Sequence, residues 1–240
     1  MEKEYIYYDE TSNAKLYTSE DKKYVKKVFN SPMFHGPSEE KKYALFLKQT
    51  TERVKFPLEL VIESNMLQGY ISEFVDGQSL EALAGTIDLN ELISELRKLG
   101  EDYKKIGDEG LEVGTIQLSD LIYSDSKLVN TNVDGFVFND KTPRFIIPKM
   151  NQVSLKTACA SLVSKTLKKY KVDLPADIRK AYSKNIASYD VSAADMLERL
   201  KHALEVRYVK PLSTMESICE EIKREGEMSD NSYNRPYSYR

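Results

Sequence analysis

The order of the predicted elements constrains the fold of this chain more than any other feature of its sequence. Short β-like segments and a single helical pattern fill residues 1–75, whereas residues 76–225 carry mainly helical patterns around one small hairpin. A doubly wound sheet would instead alternate strands and helices along its whole length. The order therefore predicts an α+β protein with two lobes and a cleft between them. The N-lobe would be β-rich with one helix, and the C-lobe mainly helical.

The spacing of apolar residues places the individual elements. Five strands are predicted at Tyr5–Tyr8, Ala14–Tyr17, Tyr24–Phe29, Leu58–Glu63 and Gln68–Phe74. A helix is predicted from a cap at Ser38 to about Thr50, because acidic residues follow Ser38 in the first turn. Helical spacing predicts five more helices, at Leu89–Ile106, Leu155–Tyr170, 176–187, 193–207 and 212–224. Residues 226–240 are short of aliphatic side chains, and we expect a flexible tail there.

The stretch from Leu111 to Phe138 contains the hairpin around which the C-lobe is organised. Leu121–Tyr123 is a compact apolar run, Ser124–Ser126 is a polar turn, and Lys127–Val129 resumes the strand. Asn130 begins a polar segment that ends the strand, since asparagine competes locally for backbone hydrogen bonds. A hairpin of this length is not stable alone, so we expect it to lie on a larger body.

Composition excludes several functional classes. The chain is 41% hydrophobic and 30% charged, which is typical of globular proteins, and no apolar run reaches the roughly 20 residues of a membrane span. The amino terminus is too charged for a secretory signal. Cys159 and Cys219 have no metal-site spacing and are expected to be buried thiols in a reducing cytoplasm. A net charge of −3 gives no general attraction to nucleic acid. We expect a cytoplasmic protein without membrane, nucleic-acid or metal ligands.

The segment GYISEFVDGQSL, Gly69 to Leu80, resembles the last N-lobe strand and hinge of protein kinases. Together with the order of elements, it makes residues 5–225 resemble a two-lobed protein-kinase-like fold. The resemblance implies that adenine would bind along the hinge, with Ser72 near the gatekeeper position and the hinge contacts made by Glu73, Phe74 and Val75. The alternative interpretation of this segment is a buried edge strand that ends in an Asp-Gly turn.

The third predicted strand carries the second point of resemblance. Kinases place a lysine there that holds the α- and β-phosphates of ATP and pairs with a glutamate of the following helix. Lys27 shares a strand face with Val25, as that pattern requires. The implied partner is Glu40, with Glu39 as the alternative. Lys26 could be the inward-facing lysine instead of Lys27. Alternatively, Lys27 is a solvated lysine in a basic run and belongs to no binding site.

The sequence departs from the kinase pattern in its first turn and in the catalytic loop. The first turn, Asp9 to Asn13, has no glycine and carries acids where a phosphate would need donors. In the catalytic loop, the pattern places Thr115 at the proton acceptor, Asp120 at the first metal ligand and Asn130 at the metal-binding aspartate. Threonine is not a base at neutral pH, and asparagine brings no charge to Mg²⁺. A single carboxylate is a poor magnesium site.

A rival alignment makes Asp120 the base and Val133–Phe136 the metal-binding triplet. It then places Asp125 at the asparagine of the catalytic loop and puts the apolar run Leu121–Tyr123 in a loop, so that the hairpin loses its first strand. We prefer the first alignment, in which Asp134 belongs to a turn after the hairpin.

The sequence thus predicts a kinase-like protein without catalytic residues, a pseudokinase that binds another protein or peptide. We expect no resident cofactor, and ATP binding without a firm magnesium requirement stays open. Two alternatives also stay open. One is an active, divergent phosphotransferase that uses Asp120 and Asp134, and the other is a plain α+β interaction module.

Overall fold

A five-stranded antiparallel sheet forms the amino-terminal part of the molecule in a computed structural model of the chain. The structure describes residues 4–11, 13–34 and 37–233, without the side chains of 33, 34, 37, 38 and 228–233. The strand order is β1-β2-β3-β5-β4, and one helix lies between β3 and β4 in the chain. The bounds are β1 Tyr5–Glu10, β2 Ala14–Ser19, β3 Tyr24–Phe34, α1 Pro37–Phe46, β4 Glu59–Glu63 and β5 Met66–Glu73. The cap predicted at Ser38 falls on an undescribed side chain.

Strand β3 is longer than the sequence predicted. The prediction ended at Phe29, because Pro32 and the glycine and proline that follow interrupt the strand pattern. In the structure β3 continues to Phe34, with a register shift against β5 between Val28 and Met33. Proline is tolerated in a sheet at such irregularities, since the missing N–H then leaves no ladder bond broken.

The carboxyl-terminal part contains five of the six described helices and two small β-structures. In chain order the elements are β6 Gln78–Ser79, α2 Leu89–Asp108, β7 Leu111–Glu112, a 3₁₀ helix Leu118–Asp120, β8 Leu121–Ser124, β9 Lys127–Asn130, β10 Val137–Phe138, α3 Ile147–Tyr170, α4 Ala176–Ala187, α5 Ala193–Tyr208 and α6 Met215–Tyr233. Helix α2 contacts α3 and α5, and its apolar stripe is buried. The Asp88 side chain caps α2 by accepting the N–H groups of Asn90 and Glu91.

The predicted hairpin is confirmed as strands β8 and β9. Its two-residue turn has positive φ angles of 47° at Asp125 and 60° at Ser126, and Leu121 lies opposite Asn130. Strand β6 adds a third strand beside β8, and β9 contacts α2. The hairpin therefore lies on the helical part, as its short length required.

The end of the chain differs from the prediction of a helix over 212–224 and a flexible tail from 226. Helix α6 runs to Tyr233 and passes through Gly226, where the flanking residues Glu225, Glu227 and Met228 favour helix. Gly226 lies inside α6, so this glycine does not mark a turn. The predicted flexible tail otherwise falls on residues 234–240, outside the described part of the chain. Among the described helices, none is both long and apolar enough to cross a bilayer.

Candidate functional site

A cavity of about 310 Å³ lies between the sheet and the β8–β9 hairpin. This is at the lower end of the range, roughly 300–1,000 Å³, that small-molecule pockets occupy. Leu16 and Val25 line it from the sheet, and Ile122 lines it from β8. These three side chains give the cavity apolar walls.

Strand geometry brings Lys27 into the same cavity. Side chains alternate along a strand, so Val25 and Lys27 share a face of β3, and Leu16 pairs opposite Lys27 on β2. Lys27 is 7% exposed. Its Nζ lies 2.5 Å from Asp134 Oδ2 and donates to Asn132 Oδ1 at 3.2 Å. The ammonium group is therefore already paired with a carboxylate inside the protein.

Three elements hold Asp134 in place. Its Oδ1 accepts a hydrogen bond from Tyr70 OH on β5 at 2.9 Å, and its carbonyl accepts one from Lys42 Nζ on α1 at 3.0 Å. Its own N–H donates to Asn132 Oδ1 at 3.2 Å. Burial, reinforced by the Asp134 charge, raises the pKa of Tyr70 well above its usual value. The Tyr70 hydroxyl therefore stays a neutral donor to Asp134 over the physiological pH range.

Asp120 is the second carboxylate at the inner end of the cavity. It ends the 3₁₀ helix, and its carbonyl accepts the N–H of Thr131 at 2.9 Å and the hydroxyl of Thr131 at 3.2 Å. Burial raises the pKa of Asp120, although a hydrogen bond from Asn132 and the charge of Lys27 act in the opposite direction. A carboxylate with a raised pKa and no ion pair in the described part of the chain remains an acceptor for a ligand donor.

Ser72, predicted near the gatekeeper position, and the three predicted hinge residues Glu73, Phe74 and Val75 all line the cavity, but they differ in their hydrogen bonding. Ser72 is 2% exposed, and its hydroxyl makes no hydrogen bond within the described residues. The Phe74 N–H donates to the Lys23 carbonyl at 2.9 Å, and Glu73 lies 2.5 Å from Lys55. The backbone N–H and carbonyl of Val75 have no partner in the described part of the chain. Ser72 and Val75 are therefore the two of these four residues with hydrogen-bonding groups that have no partner among the described residues.

Glycine is required where the hinge meets the hairpin. A Cβ added at Gly77 would lie 2.4 Å from the Tyr123 carbonyl oxygen, closer than any real contact of that kind. Gly77 thus lets the chain after Val75 pass directly over β8.

The structure does not bring Glu40 to Lys27. Glu40 is exposed on α1, and neither Glu40 nor Glu39 is among the described partners of Lys27. Thr115 is exposed between β7 and the 3₁₀ helix and does not line the cavity. The position predicted for a proton acceptor therefore lies apart from the rest of the site.

Asn130 also lies away from the cavity. It is 1% exposed, and its Nδ2 donates to Tyr103 OH at 2.8 Å. Its backbone N–H donates to the Arg53 carbonyl at 2.8 Å, and its carbonyl accepts from the Lys55 N–H at 2.9 Å. Asn132, two residues further on, is the asparagine that reaches Lys27. Asn130 is thus a structural residue that joins the hairpin to the segment before β4.

Sequence reasoning missed Asn132, and missed both Tyr70 and Asp134 as neighbours of Lys27. Tyr70 precedes Ser72 by two residues on β5, so the period of a strand places both on the cavity face. That signal was present in the sequence. No local signal identifies Asp134 as the partner of Lys27, because the two are 107 positions apart.

Carboxylates outnumber the available cations in this cavity. Asp9, Glu73 and Asp120 line the cavity together with Lys27. Asp134 pairs with Lys27 without lining the cavity, and its carbonyl accepts from Lys42. No group of three or more His, Cys, Asp or Glu residues that could hold a metal ion is found in the part of the chain that the structure describes. No protein-family model matches the sequence, and no curated protein is significantly similar to it. The chemistry of the site is therefore inferred from its own residues.

Proposed function

We propose that this chain is a two-lobed, kinase-like protein without phosphotransfer activity, a pseudokinase that acts by binding another protein or peptide. One observation carries the proposal. Residues that the kinase resemblance selected, far apart in the sequence, line a single cavity: Lys27, Ser72, Glu73, Phe74, Val75 and Asp120. The order of the elements supports it too, since the sheet with its inserted helix precedes the hinge, α2 and the hairpin.

The state of Lys27 supports the absence of catalysis. In kinases the corresponding lysine holds the phosphates of ATP while a helix glutamate orients it. Here Asp134 pairs with Lys27 at 2.5 Å, and Tyr70 and Lys42 hold Asp134. A phosphate would have to displace this carboxylate from the ammonium group.

The metal-binding positions support the same conclusion. Asn132, which lies beside Lys27 in the cavity, is neutral, and Asn130 is buried elsewhere. Magnesium in nucleotide sites is held by carboxylates together with substrate phosphates. Asp120 is then the carboxylate left for a metal, because Asp134 is engaged by Lys27.

The edge strand β1 supports a protein partner. Ile6, Tyr7 and Tyr8 are consecutive, large and more than half exposed, at 54%, 55% and 54%. An exposed edge strand can accept another strand through its backbone, and its side chains then select the sequence. Tyr8 also packs against Phe74 at the mouth of the cavity, with ring centroids 5.4 Å apart. A partner on β1 would therefore contact the cavity mouth.

Two other candidate functions each have an observation in their favour. Asp120 and Asp134 lie at one end of the cavity, both near Asn132, which favours a divergent phosphotransferase. Lys27 and Glu40 do not meet, which favours a plain α+β interaction module. Neither candidate explains both observations, namely that the Asp134 carboxylate pairs with Lys27 and that the predicted hinge residues line the same cavity.

An ATP-consumption assay with magnesium tests the proposal. We expect no turnover above the protein-free background for the wild type, for Asp120→Ala or for Asp134→Ala, with generic protein substrates and without them. Turnover in the wild type that is lost in either variant would establish the divergent phosphotransferase instead.

A further inference from the structure

We infer that the groove between α3 and α4 is a docking site for an acidic amphipathic helix of a partner protein. This inference rests on the proposed function, because it names the kind of protein that the helical part of the molecule binds. The shape of the groove, its apolar floor and its charge each support it.

The groove has the length and openness that a docked helix needs. Its volume is about 530 Å³, and residues 172–174 of the loop between the two helices line one end. Four residues of α3 line it at intervals of three or four positions and so share one helix face: Thr157, Ser161, Ser164 and Lys168. The first three are small, so this face stays open. It extends about 16 Å along the helix axis, or about three helical turns.

The floor of the groove is apolar. Leu167 of α3, Val172 of the loop and Ile186 of α4 are half-buried and line it. Tyr182 lies deeper, and its hydroxyl is buried without a hydrogen-bond partner among the described residues, so it adds no polar group to the groove surface. Apolar side chains spaced four and three residues apart are the usual anchors of a helix in such a groove.

Two unpaired cations stand beside this floor. Lys168 and Arg179 are exposed lining residues, and neither forms an ion pair within the described part of the chain. Asp173 is the acid among the lining residues. Charges at the rim of an interface set the orientation of the partner and the rate of association. A helix with acidic residues beside its apolar stripe complements this rim.

The segment around the groove is basic as a whole. Residues 165–184 contain seven lysines and arginines and two aspartates, a net charge of +5 in a chain whose total is −3. Lys165 pairs with Glu81 outside the segment, and Asp177 lies 3.6 Å from Arg207. One of these engaged groups is a cation and the other an anion, so the excess of five positive charges remains. The local charge therefore favours an acidic partner, although the whole protein is acidic.

A helix fits these features better than a membrane surface. Peripheral membrane sites insert apolar side chains into the headgroup layer. Here Leu174 and Tyr182 are buried in a recess between two helices, so neither protrudes. A helix that lies in the recess reaches its floor, whereas a bilayer surface does not.

Fluorescence anisotropy with two synthetic helical peptides tests the inference. Both carry leucines at positions i, i+4, i+7 and i+11 of an alanine-rich helix, flanked by glutamates in one peptide and by lysines in the other. We expect the acidic peptide to bind the full chain about tenfold or more tightly than the basic one. Added salt should reduce the difference, because it screens exposed charges.

Charge variants locate the binding site. The double variant Lys168→Ala, Arg179→Ala should weaken binding of the acidic peptide by about tenfold, because it removes two exposed ion pairs. Lys180→Ala is the matched control, since Lys180 is exposed on α4 but does not line the groove, and it should change the affinity by less than about twofold. Equal weakening by the double variant and by Lys180→Ala would overturn the inference.

A steric variant makes the test independent of charge. Ser164→Trp, at an exposed position of α3, should fill the groove and weaken the acidic peptide by about tenfold or more. Ala181→Trp, exposed on α4 outside the groove, should leave the affinity unchanged. Wild-type affinity in Ser164→Trp would overturn the inference, and so would equal binding of the two peptides.

Vesicles of phosphatidylcholine and phosphatidylserine provide the last arm of the experiment. Sedimentation of the protein with these vesicles, together with no binding of the acidic peptide, would assign the basic rim to a membrane surface and overturn the inference. None of these measurements involves ATP turnover. The inference can therefore fail while the proposed absence of phosphotransfer stands, and turnover can be found while the peptide still binds.

Discussion

Two ion pairs, each with a buried cation, lie on opposite sides of the β8–β9 hairpin, and they differ in what surrounds them. Behind the hairpin, Arg53 Nε lies 3.0 Å from Glu95 Oε2, and Glu95 also accepts the Leu128 N–H at 3.2 Å and Lys98 Nζ at 2.7 Å. In front of it, Lys27 pairs with Asp134 at the edge of the cavity. The first pair is enclosed by protein, whereas the second faces open space.

This difference shows that similar pairs have different roles. Arg53 and Glu95 tie the segment before β4 to α2 and β9, so they fix the hairpin in position. Lys27 and Asp134 instead set the charge that a ligand meets.

Glu95→Ala should cause the largest loss of stability, about 3–5 kcal/mol in the free energy of unfolding. The change leaves Arg53, which is 9% exposed, without its main partner. Urea denaturation measures the loss. Glu101→Ala is the control, because Glu101 is exposed on the same helix and should change stability by less than about 0.5 kcal/mol. Similar losses in the two variants would mean that the pair behind the hairpin has no structural role.

Lys27→Met should destabilise the protein less, by about 1–3 kcal/mol. Asp134 keeps its hydrogen bond from Tyr70, and its side chain is 27% exposed, so water can solvate the charge that is left. The same urea experiment measures the effect. Lys26→Met is the matched control, since Lys26 is the neighbouring lysine on the other face of β3, and we expect a change below about 1 kcal/mol. If Lys26→Met lowered the free energy of unfolding more than Lys27→Met does, Lys26 and not Lys27 would be the lysine with the structural ion pair.

Removing one hydroxyl on each side of the hairpin gives a smaller contrast. Tyr103→Phe leaves the buried Asn130 Nδ2 without its acceptor, and should cost about 2 kcal/mol. Tyr70→Phe leaves Asp134 still paired with Lys27, and should cost about 1 kcal/mol. Equal costs, measured by thermal denaturation, would show that the cavity side is as tightly enclosed as the other.

The two sides should also respond oppositely to pH. Burial raises the pKa of Asp120, so its stabilising contribution is complete below the usual value of 3.8 and is lost as the pH rises through the raised pKa. Burial alone would raise the pKa of Glu95, but hydrogen bonds from Lys98, Arg53 and the Leu128 N–H lower it. Its contribution is present above the usual 4.5 and is lost as the pH falls through the lowered pKa.

Melting curves of two neutral variants measure this smallest effect. The Tm of Asp120→Asn relative to the wild type should rise as the pH increases from acidic to neutral. The Tm of Glu95→Gln relative to the wild type should fall over the same change. Parallel trends in the two variants would contradict the assignment of opposite environments.

The spacing of apolar and turn residues along the sequence was sufficient to predict most strands and helices and part of the candidate site. The strand period placed Val25 and Lys27 on one face, and the turn residues of the hairpin were evident from Ser124 to Ser126. The residues from Ser72 to Val75, which line the cavity, form one contiguous segment. Each of these features depends on residues that are close in the sequence.

The partners of these residues could not be predicted in the same way. Asn130 was predicted to stand at the metal-binding position of the kinase pattern without the charge to hold a metal, and the hairpin register and a parallel bridge to Val54 place it against Tyr103. Lys27 was predicted to meet Glu40 on the next helix, yet its carboxylate comes from Asp134, beyond the hairpin. Such pairings depend on how distant elements pack, and no local periodicity reports them.

Calorimetric titration of ATP into the wild-type protein, with and without magnesium, measures whether the cavity can bind a nucleotide together with a divalent cation. If Asp134 already occupies Lys27 and the cavity cannot hold a divalent cation, magnesium will add nothing to the binding of ATP. Tight ATP binding that requires magnesium and disappears in Asp134→Ala would contradict the account.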